Sequence, residues 1–149
     1  MSVELSPIIA GVMNWGVWDK NLNTNEFTHL INLFIENGIT TFDHADIYGG
    51  YTTEASFGKA LSGSKIDRKK IQLITKCGIQ YISENRPNNS IKHYEYSKDY
   101  IIWSAENSLK NLQTDYLDVF LLHRPSPLMQ ADEIAEAVSK LKADGKILS

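Results

Sequence analysis

One stretch of sequence decides the fold of this 149-residue chain: Thr41-Phe42-Asp43-His44-Ala45-Asp46-Ile47-Tyr48-Gly49. Its first residues complete a β-branched apolar run, residues 39–42, which predicts a strand. Asp43 stands at the carboxyl end of that strand, and Tyr48 lies on the loop that follows it. Strand ends and their loops converge at one edge of a parallel sheet, and this is where α/β proteins form their active sites.

Short apolar runs alternate with amphipathic stretches along the rest of the chain. Four runs predict strands, at residues 7–12, 39–42, 71–75 and 117–122. Four stretches with apolar residues at helical spacing predict helices. Thr24 is the expected cap of the first, Thr53 opens the second, Ser97 or Asp99 is the expected cap of the third, and the last runs from about residue 130 to 143. Residues 78–98 predict a long loop, and residues 147–149 the start of a fifth strand. Four strand–helix units in succession demand a parallel sheet with helices packed outside it.

Two architectures satisfy this alternation: a doubly wound open sheet, and part of a (β/α)8 barrel. Asp43, Lys76 and His123 each lie within a residue or two of the carboxyl end of a predicted strand. No G-x-G-x-x-G follows the first strand, where a dinucleotide-binding doubly wound sheet would place it. We therefore expect an α/β fold of the TIM-barrel type. Because a complete barrel takes about 250 residues, residues 1–149 would form one domain of about four βα units, a half barrel.

Composition narrows the class of protein. Apolar residues make up 42% of the chain and the net charge is −3, so there is no electrostatic reason to expect nucleic acid or an anionic membrane as a partner. The longest apolar runs are too short to span a bilayer. The N-terminus shows no secretory signal, and the single cysteine, Cys77, fits a reducing compartment. The predicted location is the cytoplasm.

Four side chains near the strand ends make a plausible proton-transfer site: Asp43, Tyr48, Lys76 and His123. A phenol ordinarily has a pKa of about 10, and a nearby ammonium stabilises its phenolate form. A carboxylate keeps such a lysine charged and oriented, and a histidine can hydrogen-bond a carbonyl oxygen. Each residue alone also has a structural interpretation, since loop tyrosines and solvated lysines are common. Four of them at corresponding strand ends favour the catalytic interpretation.

The same residues lie in motifs that resemble one enzyme family. Residues 42–49 are similar to the aldo-keto reductase signature, an aspartate, a small pair and a tyrosine-glycine on the second loop. Residues 73–78 resemble the family's lysine strand, and residues 115–125 its histidine strand. Residues 141–147 are similar to the segment that leads into strand five. Residues 89–101 resemble a bacterial subgroup of oxidoreductases, and the resemblance covers essentially the whole chain.

The resemblance implies a (β/α)8 barrel and reversible hydride transfer between a nicotinamide cofactor and an aldehyde or ketone. Tyr48 would be the general acid, tuned by Lys76 and Asp43, and His123 would orient the carbonyl. NADPH is expected rather than NADH, and no metal is expected. The resemblance assigns four residues to the cofactor, namely Gly11, Met13, Asn14 and Asp43. It assigns four to the substrate pocket, namely Trp15, Tyr48, His123 and Arg124.

Much of the family's cofactor site lies beyond strand five, so the chain would be a truncated reductase acting on a small-molecule carbonyl substrate. Two alternatives stay open: a non-catalytic module for nucleotide sensing or partner binding, and an inactive fragment. A third, an unrelated barrel enzyme acting on phosphorylated substrates, is disfavoured by the specific motifs. A half barrel also leaves unpaired strand edges and an apolar face, which would favour self-association.

Overall fold

The strands and helices are described for residues 3–149 in a computed structural model; Met1 and Ser2, on which the expectation about a secretory signal partly rests, lie outside the described residues. The strands are β1 (Ile9–Gly11), β2 (Thr41–Asp43), β3 (Gln72–Cys77), β4 (Ile79–Gln80), β5 (His93–Tyr94) and β6 (Val119–Leu122). The helices are α1 (Thr24–Glu36), α2 (Tyr48–Tyr51), α3 (Thr53–Ser62), α4 (Lys98–Leu112) and α5 (Ala131–Ala143). A 3-10 turn spans Arg68–Lys70.

The main sheet is parallel, and its strands lie side by side in the order β1-β2-β3-β6. Each βα unit therefore adds its strand on the same side of the previous one. A doubly wound sheet would instead reverse direction at a switch point. The strand order is thus that of a barrel wall. In the register, Gly11 lies opposite Asp43, and Lys76 lies opposite Leu121, which brings the candidate site residues to one edge.

Local sequence explains where the helices begin. The side-chain oxygen of Asn23 accepts hydrogen bonds from the backbone N–H groups of Asn25 (3.0 Å) and Glu26 (3.1 Å). The Glu26 carboxylate accepts one in return from the Asn23 N–H (2.7 Å), which completes a capping box. The expected cap of α1 at Thr24 is therefore wrong by one residue. Ser97 caps α4, as the sequence predicts.

The connection between β3 and α4 differs from the plain loop predicted for residues 78–98. Within it, β4 and β5 pair as an antiparallel hairpin. Asn89 fastens this hairpin, because its Nδ2 atom donates to Oε1 of Gln80 (2.9 Å) and to the backbone oxygen of Tyr81 (3.2 Å). Two-residue strands are too short to show a periodicity, and the sequence alone therefore could not reveal them.

The hydrophobic core lies between the main sheet and the helices that cover it. Fully buried side chains come from α1 (Phe27 and Ile31), α3 (Phe57), β2 (Phe42) and β3 (Leu73). Burial of side chains this large is the main favourable term that holds the sheet and helices together. The opposite face of the sheet carries Asp43 and Lys76, and helices do not cover it.

Residues 147–149 extend the main sheet beyond β6. At the β6 end, residues 147–149 run parallel to β6: Ser149 donates to the backbone oxygen of Asp118 (3.1 Å), and Phe120 donates to that of Ser149 (3.0 Å). The expected start of a fifth strand is present.

Ile9 and Leu121, which share the face of Asp43 by the alternation of strands, are each 42% exposed. This uncovered face is called the inner face below.

Contact between α3 and α4 depends on Gly58, and Gly58→Ala should disrupt it. A Cβ at this position would meet the backbone oxygen of Asn111 and lie 2.8 Å from Cα of Leu112. We expect a loss of about 1–3 kcal/mol in the free energy of unfolding, because backbone atoms have to move. Urea denaturation measures this loss. Gly11→Ala is the control, since a Cβ there meets nothing within 4 Å; equal stabilities of the two variants would contradict the expectation.

Candidate active site

The Lys76 ammonium lies at the centre of the candidate site. Its Nζ atom donates to Oδ2 of Asp43 (2.8 Å) and to the backbone oxygen of His44 (2.7 Å). The same atom lies 3.4 Å from the Tyr48 hydroxyl. The Lys76 and Asp43 side chains are only 15% and 27% exposed, so water screens their attraction less than at the surface. Lys76 is thereby held with its charge beside the phenol oxygen.

Tyr48 is presented by a tight turn after β2. Its backbone N–H donates to the oxygen of Ala45 (3.1 Å), and Gly49 and Gly50 follow with φ of +60° and +67°. Glycine adopts such left-handed conformations without a steric penalty. The Lys76 Nζ atom lies 5.3 Å from the centre of the Tyr48 ring. The turn therefore directs the phenol towards the ammonium.

His123 comes to the same place from β6. Its backbone N–H donates to the oxygen of Cys77 (2.7 Å), and its ring centre lies 6.2 Å from that of Tyr48. Burial lowers the pKa of His123, and the charges of Lys76 and Arg124 lower it further. The imidazole is therefore held in its neutral form, and its buried Nδ1 atom has no hydrogen-bond partner among residues 3–149.

A cavity of about 380 Å³ opens beside these groups. It is lined by Met13, Trp18, Ile47, Tyr48, Ile79, Tyr81, Lys92, Tyr94, His123 and Arg124. A volume of this size suits a small organic molecule. The hydroxyl of Tyr48 and the ring of His123 are thus accessible to a ligand, while Asp43 and Lys76 lie behind them.

The structure places Trp15, an expected pocket residue, in the core instead. Its ring centre lies 5.6 Å from that of Phe27 and 5.7 Å from that of Phe34, and the side chain is 8% exposed. Trp18 takes the pocket position, 6.2 Å from the Tyr48 ring. Both tryptophans lie on the loop after β1, and sequence reasoning had no signal to show which one turns inward, because the loop lacks a regular period.

The expected cofactor residues cluster at the end of β1. Gly11 pairs with Asp43 in the sheet register, and Met13 lines the cavity. The backbone oxygen of Asn14 accepts a hydrogen bond from the N–H of Lys20 (3.0 Å), which shapes the turn that follows. A Cβ placed on Gly11 meets nothing within 4 Å, so open space borders Asp43 there.

A layer of buried acids lies behind the site, and sequence reasoning missed it. Asp46 is 3% exposed, and its Oδ2 atom accepts hydrogen bonds from the hydroxyls of Tyr100 (3.2 Å) and Ser104 (3.3 Å). Glu54 is 2% exposed and accepts one from Thr75 (2.6 Å). Burial raises the pKa of Asp46 to about 7, and the charge of Glu54 contributes to this shift.

Asp46 and His44 connect the segment that carries Tyr48 to the neighbouring sheet and helix. Asp46 donates its backbone N–H to the oxygen of Lys76 (3.0 Å) while its side chain binds α4. His44, on the same turn, is completely buried, and this burial and the Lys76 charge lower the pKa of His44 to about 3. Between about pH 3 and pH 7, both of these buried groups on one segment are therefore in their uncharged forms.

Within residues 3–149, no three side chains of His, Cys, Asp or Glu are grouped so as to hold a metal ion. In the same part of the chain, no helix combines the length and the apolar character required to cross a membrane.

Strand order and site geometry together indicate a barrel-type α/β protein whose candidate site lies at the carboxyl edge of its sheet. Residues 7–149 match the profile of the Aldo/keto reductase family. The chain belongs to the aldo/keto reductase family. The family resemblance and the barrel-type fold expected from the sequence are confirmed.

Known relatives are similar along nearly the whole chain. An uncharacterized oxidoreductase of Bacillus subtilis is 48% identical over 145 residues, and a 6-dehydroglucose reductase of Agrobacterium fabrum is 39% identical over 145 residues. Each match covers 97% of this chain and 48% of the relative. A solved aldo-keto reductase from Bacillus halodurans, in its holo form, has a TM-score of 0.79 and 31% identity, covering 96% of this chain and 44% of that one. The chain spans about half the length of these relatives.

The raised pKa of Asp46 predicts how Asp46→Asn changes stability with pH. Between about pH 4 and pH 7 the folded protein keeps a proton on Asp46 that the unfolded chain has lost, so Asp46 makes stability fall as pH rises. Asp46→Asn abolishes this contribution. We expect the variant to equal the parent near pH 4 and to exceed it above pH 7, by up to about 4 kcal/mol.

Urea denaturation at several pH values between 4 and 8 measures this difference. Asp115→Asn, which removes an exposed carboxylate, is the matched control and should show no such trend. His44 acts in the opposite sense, because its lowered pKa makes stability rise between about pH 3 and 6.5. The parent should therefore have a flatter stability profile than Asp46→Asn over this range. A difference that does not grow with pH would show that Asp46 is ionised in the folded protein.

Proposed function

We propose that this chain carries the proton-handling part of an NADPH-dependent carbonyl reductase that converts aldehydes and ketones to alcohols. One observation carries the proposal: the Lys76 ammonium contacts Asp43 at 2.8 Å and the Tyr48 hydroxyl at 3.4 Å. These groups stand at the wall of a cavity of about 380 Å³. Protonation of a carbonyl oxygen needs a positioned acid within hydrogen-bond reach, and Tyr48 meets this requirement.

Tyr48 is the proton donor in this proposal. As the carbonyl is reduced, the phenol hydroxyl gives its proton to the developing alkoxide. The Lys76 ammonium, 3.4 Å away, stabilises the negative charge that remains on the phenol oxygen. Asp43 pairs with Lys76 at 2.8 Å and holds its ammonium beside the Tyr48 hydroxyl. Preorganised charges of this kind act strongly because the site is partly closed to water.

His123 orients the substrate. Its lowered pKa keeps the imidazole neutral, and a neutral imidazole can donate one N–H hydrogen bond. A carbonyl oxygen placed between His123 and Tyr48 would accept a hydrogen bond from each. This geometry would turn the oxygen towards the proton donor and leave the carbonyl carbon open to attack.

A nicotinamide cofactor, when bound, would supply the hydride that this reaction requires. Gly11, Met13, Asn14 and Asp43 would hold the reacting ring; in support, Gly11 pairs with Asp43 in the sheet and Met13 lines the cavity. The preference for NADPH over NADH follows from the family resemblance. Cytoplasmic location is part of the proposal, and a small carbonyl compound is the proposed substrate; the Agrobacterium relative, a 6-dehydroglucose reductase, makes a sugar aldehyde one candidate.

The proposal predicts that Tyr48→Phe abolishes turnover. Loss of the general acid should lower the rate by about 10²–10⁴-fold, while the ring and its packing stay in place. The measurement follows NADPH oxidation with 4-nitrobenzaldehyde and, in parallel, the fluorescence of the cofactor. Tyr116→Phe is the matched control, because that tyrosine lies away from the cavity.

Each outcome of that experiment has a meaning. Turnover that Tyr48→Phe removes supports the reductase. Tight NADPH binding without turnover would favour a nucleotide-sensing module, and neither binding nor turnover would favour an inactive fragment. Turnover that persists in Tyr48→Phe would contradict the assigned role of Tyr48.

We further propose that residues 1–149 act as the N-terminal half of a longer reductase, because the relatives are about twice as long.

On its own the chain should self-associate through the inner face, where Ile9 and Leu121 are exposed, and through the sheet edges. Sedimentation velocity at micromolar concentration should show dimers or larger species. Leu121→Asp should shift them towards monomer, whereas Leu33→Asp, a change of an exposed leucine on α1, should not. A stable, cooperative monomer would contradict this prediction.

A further inference from the structure

We propose that the site takes carbonyl substrates bearing a compact anionic group, a carboxylate or a phosphate, which Arg124 and Lys92 bind at the cavity wall. The inference rests on the proposed function, in which Tyr48 and His123 bind the carbonyl oxygen. It adds the chemistry of the other end of the substrate.

The charge of the cavity wall is the first observation. Arg124 and Lys92 both line the cavity, and no Asp or Glu is among the described residues that line it. Neither side chain forms a salt bridge with a carboxylate of residues 3–149. By contrast, the cation directly behind the cavity, Lys76, is paired with Asp43. Two positive charges therefore face the space where a ligand would lie, without a negative partner in the described part of the chain.

The backbone of Arg124 is the second observation. Its φ is +87°, a conformation that favours glycine and costs other residues about 1–3 kcal/mol. Two hydrogen bonds hold it there: its N–H donates to the oxygen of Leu122 (3.0 Å), and its carbonyl accepts from the Tyr96 hydroxyl. The same hydroxyl also donates to the oxygen of His123 (3.1 Å). The residue beside His123 is thus an arginine, although its backbone conformation would be less strained with a glycine.

The position of Tyr96 is itself constrained. Its ring occupies the space that a side chain at Gly78 would need, since a Cβ there would collide with the ring. Gly78 has a φ of +120°, which glycine alone adopts readily. Because Gly78 has no Cβ, the Tyr96 ring fits beside it and its hydroxyl reaches the backbone of residues 123 and 124. The backbone of Arg124 is consequently held by the buried Tyr96, although the Arg124 side chain itself is exposed.

The β4–β5 hairpin carries the second cation. Lys92 precedes β5, and the bond between Asn89 and Gln80 ties this part of the hairpin down (2.9 Å). Tyr94, two residues further along, and Tyr81 also line the cavity and give its wall an aromatic surface. Aromatic faces favour the flat or aliphatic body of a ligand, whereas the cations favour its charged end. The wall therefore suits a small molecule that combines a carbonyl with an anionic group.

A matched pair of ligands tests the inference without turnover. 4-Acetylbenzoate carries the anion, and its methyl ester has the same ring and ketone without the charge. Isothermal titration of the full chain should show about tenfold tighter binding of the acid than of the ester, as expected for one charge-assisted hydrogen bond. Raising the salt concentration should reduce this ratio, because salt screens exposed charges.

Three variants locate the effect. Arg124→Gln and Lys92→Gln should each weaken binding of the acid several-fold and leave binding of the ester unchanged. Arg124→Gly should do the same and remain folded, because glycine suits a φ of +87°. Lys110→Gln, a change of an exposed lysine on α4, is the control and should alter neither. Glyceraldehyde 3-phosphate against glyceraldehyde, measured in the same way, distinguishes a phosphate from a carboxylate as the preferred anion.

The outcomes separate the inference from the proposed function. Equal binding of acid and ester, binding of neither, or a preference that survives Arg124→Gln and Lys92→Gln would overturn the inference. So would loss of NADPH binding in Arg124→Gln with unchanged binding of the acid, since the cation would then serve the cofactor. Reduction of the neutral ester that depends on Tyr48 would leave the proposed function standing in each case. Selective binding of the acid without Tyr48-dependent turnover would support the inference and contradict the proposed function.

Discussion

The ion pair between Lys76 and Asp43 is the interaction on which the rest of the site depends. It joins β2 to β3 on the inner face, and the same ammonium binds the backbone oxygen of His44 and approaches the Tyr48 hydroxyl. A half-buried charge without its partner would carry an uncompensated desolvation penalty. Each strand end therefore has to stay in register, and the turn that carries Tyr48 has to follow the strand at a set distance from Lys76.

The layer behind that pair explains how the turn keeps its place. Asp46 and His44 flank Ala45 and are both buried; burial raises the pKa of Asp46 to about 7 and lowers the pKa of His44 to about 3. Between these pH values both side chains are in their uncharged forms, next to the charged Lys76–Asp43 pair. Because the two buried groups have opposite effects on stability as pH changes, the segment that carries Tyr48 is buffered against pH over the range in which both titrate.

Function at this site depends on how two unlike surfaces meet. The inner face and the turn after β2 carry the proposed proton donor and its charged neighbours, while the β4–β5 hairpin and the loop after β1 supply aromatic side chains. Arg124 stands where the two surfaces join, on a strained backbone supported by Tyr96. A cavity that combines hydrogen-bonding, cationic and aromatic groups can distinguish ligands by shape and by charge, which a pocket lined only by apolar side chains cannot do.

The sequence by itself determined the alternation of strands and helices, and it determined that Asp43, Tyr48, Lys76 and His123 meet at one edge, because parallel strands necessarily bring their carboxyl ends together. The strand at residues 147–149 and the cap at Ser97 were predictable for equally local reasons. Tertiary structure alone decided that Trp15 enters the core and Trp18 the cavity, that residues 78–98 fold into a hairpin, and that Asp46 is buried. These features depend on contacts between segments distant in sequence, and no local period or propensity encodes which partner a side chain will meet.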